Sequence, residues 1–238
     1  MARYLFGGVL TMLIKNTMLM ARKNIVKSGL VLWLEGKDFT NTPQTTSWRD
    51  RSGLGNNGTP INMAYTTSSG SDGVGGVVFD GVDDKGVCAT SPSLDLKQFT
   101  IIVVVRAAST TGVHHLLRRD GNTTDKGYYL LRTKDLKYNL QILDHSALNK
   151  TSVSSISNVD ISKKTFIAGT VDNALAKLFI NGNFETSAEN LTADILGTGV
   201  LNVGYSPTEL FNGDIFTTLI YNRALTNSEI RQNYNALR

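Results

Sequence analysis

Apolar positions along this chain fall into short runs and alternations separated by clusters of Gly, Asn, Asp and Ser, the pattern of many short strands rather than of long helices. Leu30-Val31-Leu32-Trp33-Leu34 is a continuous apolar run of strand length, as expected for a strand covered on both faces. Val77 to Asp80 reads as a strand closed by the Asp80-Gly81 turn, and Val87-Cys88-Ala89 follows it. Phe99-Thr100-Ile101-Ile102-Val103-Val104-Val105 is the strongest β signal, six apolar residues of seven with β-branching dominant, and belongs in the middle of a sheet. Gly127 to Arg132 and Leu136 to Leu143 alternate well enough for antiparallel strands, and Lys164 to Val171 supplies another. Ala176 to Ile180 turns through Asn181-Gly182-Asn183 into Phe184-Glu185-Thr186, and Asn-Gly between two β runs is the strongest short hairpin signal. Leu201 to Tyr205 and Gly213 to Tyr221 complete the strands.

The pattern changes at the end. Thr226-Asn227-Ser228-Glu229 is a capping box, with Leu225 and Ile230 placed as a hydrophobic staple, so a short helix is expected from Asn227 to about Ala236. Two stretches carry turn residues instead of periodicity, the long polar loop Asp38 to Gly58 and the Gly/Ser-rich connection 66–76. Trp48 in the first loop is either a ligand platform or a plug over the sandwich edge, and large aromatics in long loops favour the plug.

Composition narrows the class. With 238 residues the chain suits one sizeable all-β domain, and 41% apolar against 18% charged residues excludes a disordered polymer. The net charge of +4 is unevenly placed: residues 1–27 hold five basic and no acidic residues, so 24 − 5 = 19 basic against 20 acidic leaves −1 for 28–238. A basic face for nucleic acid is therefore excluded as a partner surface. Cys88 stands alone and there are three His, which leaves no disulfide and argues against a Cys- or His-based metal site.

Residues 1–27 are expected to form an apolar, basic arm, with 28–238 as the folded domain. Leu5, Phe6, Leu13 and Ile14 lie in its apolar runs, and Arg22 and Lys23 close it. The preferred expectation is an assembly arm that docks on a partner or on a neighbouring copy. The alternatives are a membrane-surface helix, an arm folded back on its own sandwich, and an export signal, since the short apolar core behind Arg3 has that form.

Four blocks in order resemble the laminin-G-like members of the concanavalin A-like lectin/glucanase jelly rolls. They are Gly29-Leu30-Val31-Leu32-Trp33 with Trp48-Arg49-Asp50-Arg51-Ser52-Gly53, then Phe79-Asp80-Gly81-Val82-Asp83-Asp84, then Leu178-Phe179-Ile180-Asn181-Gly182, then Tyr221-Asn222-Arg223-Ala224-Leu225. The resemblance covers 29–236 and implies an all-β fold: a two-sheet antiparallel jelly-roll sandwich with a short C-terminal helix and an N-terminal extension. Where the family binds calcium it needs a cage of oxygens, to which Asp80, Asp83 and Asp84 would contribute here. Phe216, Thr217 and Thr218 stand where the family often carries acidic residues, so no cofactor is expected and Asp80-Gly81 is read as a turn.

Catalysis is not expected either. Only five Glu occur, none in the Glu-x-Asp-x-x-Glu spacing of jelly-roll glycosidases, and no hydrolase or phosphate-loop motif is present. For a sugar site the candidates are Trp48, Tyr65, Tyr128 and Tyr129 as stacking rings, with His114 and Arg118 for an anionic glycan; each is read first as core, loop plug or strand end. The Leu32-Trp33-Leu34-Glu35-Gly36-Lys37-Asp38 opening and the Trp48 to Gly53 loop resemble jelly rolls of tailed-bacteriophage virion proteins. The resulting expectation is a non-enzymatic virion surface protein. Its arm meets other virion proteins or copies of itself, and a host-surface glycan is the ligand class its jelly roll would display. The alternative is a bacterial secreted or cell-surface carbohydrate-binding module behind an export signal.

Overall fold

The apolar runs become strands wherever a second layer can cover them. The computed structural model describes residues 24–120, 127–143, 150–161, 163–173, 175–189 and 199–238. Among these, fifteen strands follow in chain order: β1 (Leu30–Glu35), β2 (Gly58–Ile61), β3 (Gly70–Ser71), β4 (Val77–Asp80), β5 (Lys85–Cys88), β6 (Phe99–Ala107), β7 (His114–Asp120), β8 (Gly127–Arg132), β9 (Tyr138–Leu143), β10 (Lys150–Ser154), β11 (Thr165–Asp172), β12 (Leu175–Ile180), β13 (Asn183–Ala188), β14 (Leu201–Val203) and β15 (Asn212–Tyr221). One helix, α1 (Asn227–Leu237), ends the chain.

Two sheets result. The eight-stranded sheet runs β13-β12-β11-β6-β15-β4-β3, with β1 also paired to β15; the seven-stranded sheet runs β10-β9-β8-β7-β14-β5-β2. Strand β15 is long enough to use one edge for β6 and to share the other between β4 at Asn212–Ile215 and β1 at Thr217–Tyr221. All described strand pairings are antiparallel, which makes the jelly-roll sandwich of the sequence reading the observed fold.

The main core fills the space between the sheets. From β6 it takes Phe99, Ile101, Val103 and Val105, and from the facing sheet Tyr128, Leu130, Leu140 and Ile142. Full burial of one such side chain stabilises by roughly 1.5–3 kcal/mol. The layers meet closely at Gly169 on β11, where a Cβ would come within 2.9 Å of Leu140 Cδ2. The other face of β6 is covered as well. Ile102 and Val104 join Phe166, Ala168, Leu219 and Tyr221 under Leu225 and Ile230 of the closing segment. Strand β6 is thus sealed on both faces, as its unbroken apolar run requires.

Three local predictions recur as observed geometry. The Asn181-Gly182 pair has φ of 50° and 76°, the left-handed values a two-residue hairpin turn needs, and joins β12 to β13. Helix α1 begins with the full capping box, the Thr226 side chain accepting from Glu229 N and the Glu229 carboxylate accepting from Thr226 N. Arg223 pairs with Glu229 at 2.6 Å, and its hydrogen bonds hold that carboxyl down at about 2. Strand β1 departs from expectation: Leu32 and Leu34 are fully buried in the inter-sheet core, but Trp33 is only half-buried, because its side chain lies on the outer side, where the second cluster covers it in part.

Residues 24–27, which the sequence reading placed in the arm, lie against this outer layer. Ile25 and Val26 are buried with Tyr221 and Ile230. Val26 N donates to Asn233 Oδ1 at 2.8 Å, and Tyr221 Oη donates to Val26 O at 3.0 Å. Leu5, Phe6, Leu13, Ile14, Arg22 and Lys23 lie outside the described residues. No helix among the described residues is long and apolar enough to cross a membrane.

Candidate functional site

Strand alternation decides what the seven-stranded sheet shows to the outside. Tyr128, Leu130, Tyr138, Leu140, Ile142, Leu201 and Val203 point into the core, so Tyr129, Asn139, Gln141 and Asn202 point out. Strand β7 breaks the rule. A bulge between His115 and Leu117 leaves both Leu116 and Leu117 in the core. Beyond it the register pairs Arg118 with Tyr129 and His115 with Leu131, which brings His115 and Arg118 to the same outer face.

These side chains hold one another in place. The Arg118 guanidinium carbon lies 5.0 Å from the Tyr129 ring centroid, and Arg118 Nη1 donates to Ser206 Oγ at 2.9 Å. The His115 ring stands edge-on to Tyr129, 5.6 Å between centroids, and its Nε2 donates to Glu209 Oε2 at 2.9 Å. Lys85 Nζ sits 4.3 Å from the Tyr205 centroid. Asn139 Nδ2 donates to Ser152 Oγ at 2.7 Å and Ser154 Oγ at 2.6 Å. Tyr129 and His115 are buried, whereas Arg118, Gln141, Asn202, Tyr205 and Glu209 are half-buried and reach solvent.

The arrangement therefore presents a guanidinium donor, a carboxylate acceptor and amides on a rigid sheet, with Ser206 and Glu209 brought in by the loop between β14 and β15. Anchored polar groups lose little side-chain entropy when a ligand binds. A carboxylate and a guanidinium on one face match the mixed donor and acceptor character of sugar hydroxyls.

The other candidates go elsewhere. Tyr128 is 1% exposed, packs on Phe99 at 4.7 Å between centroids, and belongs to the core; burial pushes its hydroxyl pKa up. His114 is buried, with Nδ1 2.7 Å from Leu210 O and Nε2 2.6 Å from Thr111 O, and burial holds its pKa below the usual histidine value. Trp48 is 1% exposed, donates from Nε1 to Glu35 O at 2.7 Å and meets Phe39 edge-on. Tyr65 stacks on the same Phe39 ring and donates to Thr45 O at 2.7 Å, so both aromatics pin the Asp38–Gly58 loop.

Asp80, Asp83 and Asp84 do come together, with one oxygen of each within 4.8 Å of the others. Their bonds are largely local. Asp84 accepts from Ser69 Oγ and from Asp80 N, each at 2.9 Å, and Asp80 Oδ1 accepts from Val82 N at 2.8 Å. Burial pushes the Asp84 carboxyl up to about 6. Calcium takes six to eight oxygens at 2.3–2.6 Å. Among the described residues three carboxylates, two of them committed to closing their own turn, fall short of such a cage.

Fold and face together define a lectin-like jelly-roll sandwich. The chain belongs to the concanavalin A-like lectin/glucanases superfamily, whose family model matches residues 80–231, more than half of it. No curated protein matches it in sequence. Among solved structures it is similar to the binding domain of Paraclostridial mosquitocidal protein 1 (16% identity, TM-score 0.64, 88% of this chain and 52% of that one). It is also similar to botulinum neurotoxin type C, whose cell entry depends on interaction with two ganglioside molecules (13%, TM-score 0.62, 90% and 52%). A third is Trypanosoma rangeli sialidase in complex with the inhibitor DANA (16%, TM-score 0.64, 98% and 39%). The chain thus spans about half the length of the toxin chains it matches, at 52%. The sialidase corrects the expectation that this chain is no enzyme: the same sandwich forms part of an enzyme chain, so missing glycosidase spacings do not place the fold outside catalysis.

Proposed function

We propose that this chain is a lectin-like domain that binds a host-surface glycan through the outer face of its seven-stranded sheet. The observation that carries the reading is the anchored pair on that face, Arg118 held by Tyr129 and Ser206, and Glu209 held by His115. The superfamily's lectin members and the ganglioside interaction of a structurally similar toxin support a saccharide as the ligand class. The domain is displayed on a virion surface, with residues 1–23 docking on another virion protein or on a second copy. The uneven charge and the Leu32–Asp38 and Trp48–Gly53 motifs support that placement.

The test is a glycan array probed with the full chain and with Arg118→Ala and Glu209→Gln. Binding to a defined glycan that falls about tenfold or more in each variant supports the reading, since a charged hydrogen bond contributes roughly 1.5–3 kcal/mol. An array without hits, or hits indifferent to both substitutions, refutes it. For the display arm, native mass of the full chain is compared with a version starting at Asn24, which keeps Ile25 and Val26 in their pocket. Assembly only of the full chain supports docking through 1–23, and equal monomers refute it.

A further inference from the structure

The eight-stranded sheet carries a recess on its own outer side that the lectin-like reading leaves unused. It encloses about 430 Å³ between the Trp33 end of β1, Phe216 on β15, Lys164 before β11, and the last turn of α1. That volume lies within the roughly 300–1,000 Å³ of small-molecule sites.

Its walls are aromatic and cationic together. Lys27 Nζ lies 3.7 Å from the Trp33 centroid, and Lys164 Nζ lies 4.6 Å from the Phe216 centroid. Glu35, only 7% exposed, accepts from Trp33 Nε1 at 2.6 Å and fixes the indole. Two further cations are neutralised in place, Arg51 by Asp38 and Lys37 by Glu35 at 3.2 Å. Lys27 and Lys164 are not. Among the described residues neither reaches a carboxylate at ion-pair distance, and Lys164 Nζ donates only to the carbonyl of Leu237, at 3.3 Å. Partial burial lowers the pKa of both amines, so each would gain from an anion.

The ligand class follows from what the recess offers and what surrounds it. Cations already sit on the aromatic faces, which leaves no open ring for base stacking. Residues 28–238 carry net −1, a balance that does not favour a polyanion such as nucleic acid. A recess of this size with two aromatic walls also exceeds the needs of a bare ion. We infer that it binds an acidic saccharide, with a carboxylate or sulfate taken by Lys27 and Lys164, the sugar ring filling the space between them, and hydroxyls donating to Glu35. This site is on the opposite sheet from the Arg118–Glu209 face and does not depend on it.

The experiment uses the fluorescence of the full chain, which has two Trp. Trp48 is 1% exposed, so a titration signal reports on Trp33. The probes are a glucuronate-containing oligosaccharide, a glucose oligosaccharide of the same length, and inorganic sulfate. The expected result is a saturable change with the glucuronate ligand only. Its affinity falls about tenfold or more in the Lys27→Gln, Lys164→Gln double variant and with added salt, while Lys134→Gln, in the turn between β8 and β9 of the other sheet, stays within about twofold. An equal response to the glucose oligosaccharide, or unchanged affinity in the double variant, overturns the site. Saturation by sulfate at the same affinity as the oligosaccharide overturns the saccharide assignment. The salt dependence is read on the unsubstituted chain, so the test survives a misfolded variant, and the Arg118→Ala array result is independent of it.

Discussion

Asn233 is the most exacting place to test how the outer layer is held. It is fully buried on α1 and joins three parts of the chain: its Oδ1 accepts from Val26 N at 2.8 Å, and its Nδ2 donates to Tyr221 Oη at 3.1 Å on β15. Tyr221 Oη in turn donates to Val26 O at 3.0 Å, which closes the triangle. Asn233→Ala strips Val26 N of its acceptor in a site where Val26 itself is 7% exposed. An orphaned buried donor costs about 1–3 kcal/mol, and the lost bond to Tyr221 about 0.5–1.5 more. The expected loss is about 2–4 kcal/mol, a large share of the roughly 5–15 kcal/mol a domain has in total. Urea unfolding of the full chain measures it as a lower midpoint at unchanged slope. Tyr221→Phe breaks the same triangle from another corner, so the double variant should cost less than the sum of the singles by more than about 0.5 kcal/mol. Hydrogen exchange at the Val26 amide should accelerate as well. A loss for Asn233→Ala below about 0.5 kcal/mol, or strict additivity, would refute the account of a cooperative buried network.

Three further outcomes are expected. Gly204→Ala should lose more than about 3 kcal/mol in the same urea assay, because Gly204 has φ of 75° and a Cβ there would come within 2.4 Å of the Phe79 ring, deep in the core. Asp84, raised by burial to about 6 in the folded state, binds its proton more tightly folded than unfolded, so its contribution to stability falls as pH rises from about 4 through 6. Asp84→Asn should flatten that part of the urea midpoint–pH profile, and an unchanged slope would contradict the shift. Glu229 is the opposite case: its folded value of about 2 lies below the ordinary one, so its contribution is complete above about 4.5 and fades as pH falls towards 2. Glu229→Gln should lower the thermal midpoint at pH 7, by the equivalent of about 1–2 kcal/mol, and make little difference near pH 2.

Legibility in the sequence followed how local the determining interactions are. The Asn181-Gly182 turn, the Thr226–Glu229 capping box and the two-sided cover of β6 each rest on residues close together or on an unbroken apolar run, and each was readable. The candidate face was less so. Strict alternation puts His114 and Arg118 on one side of a strand, but the bulge before Leu117 shifts the phase, and His115 is the histidine that joins Arg118. The adjacent pair Tyr128-Tyr129 divides between core and outer face, and only the register with β9 says which goes where. Glu209 carried no signal of its own, because its role comes from a loop that reaches β7 across 94 positions. Trp33 was misplaced for a similar reason: an apolar run does not reveal that Leu32 and Leu34 face the inter-sheet core while Trp33 between them faces the outer layer, where it is only partly covered.

The partnership of β1 with β15 settles one further matter, that of geometry for building larger assemblies. The described chain enters where it leaves: Gln232 Nε2 on the closing helix donates to Asn24 O at 2.9 Å, and both stand over the sheet that faces away from Arg118 and Glu209. Neighbouring points of entry and exit at one surface are the condition for inserting a domain into a loop of another protein. Residues 24–238 can therefore be carried as a cassette on a scaffold, held through Asn24 and α1 on the side away from the Arg118–Glu209 face.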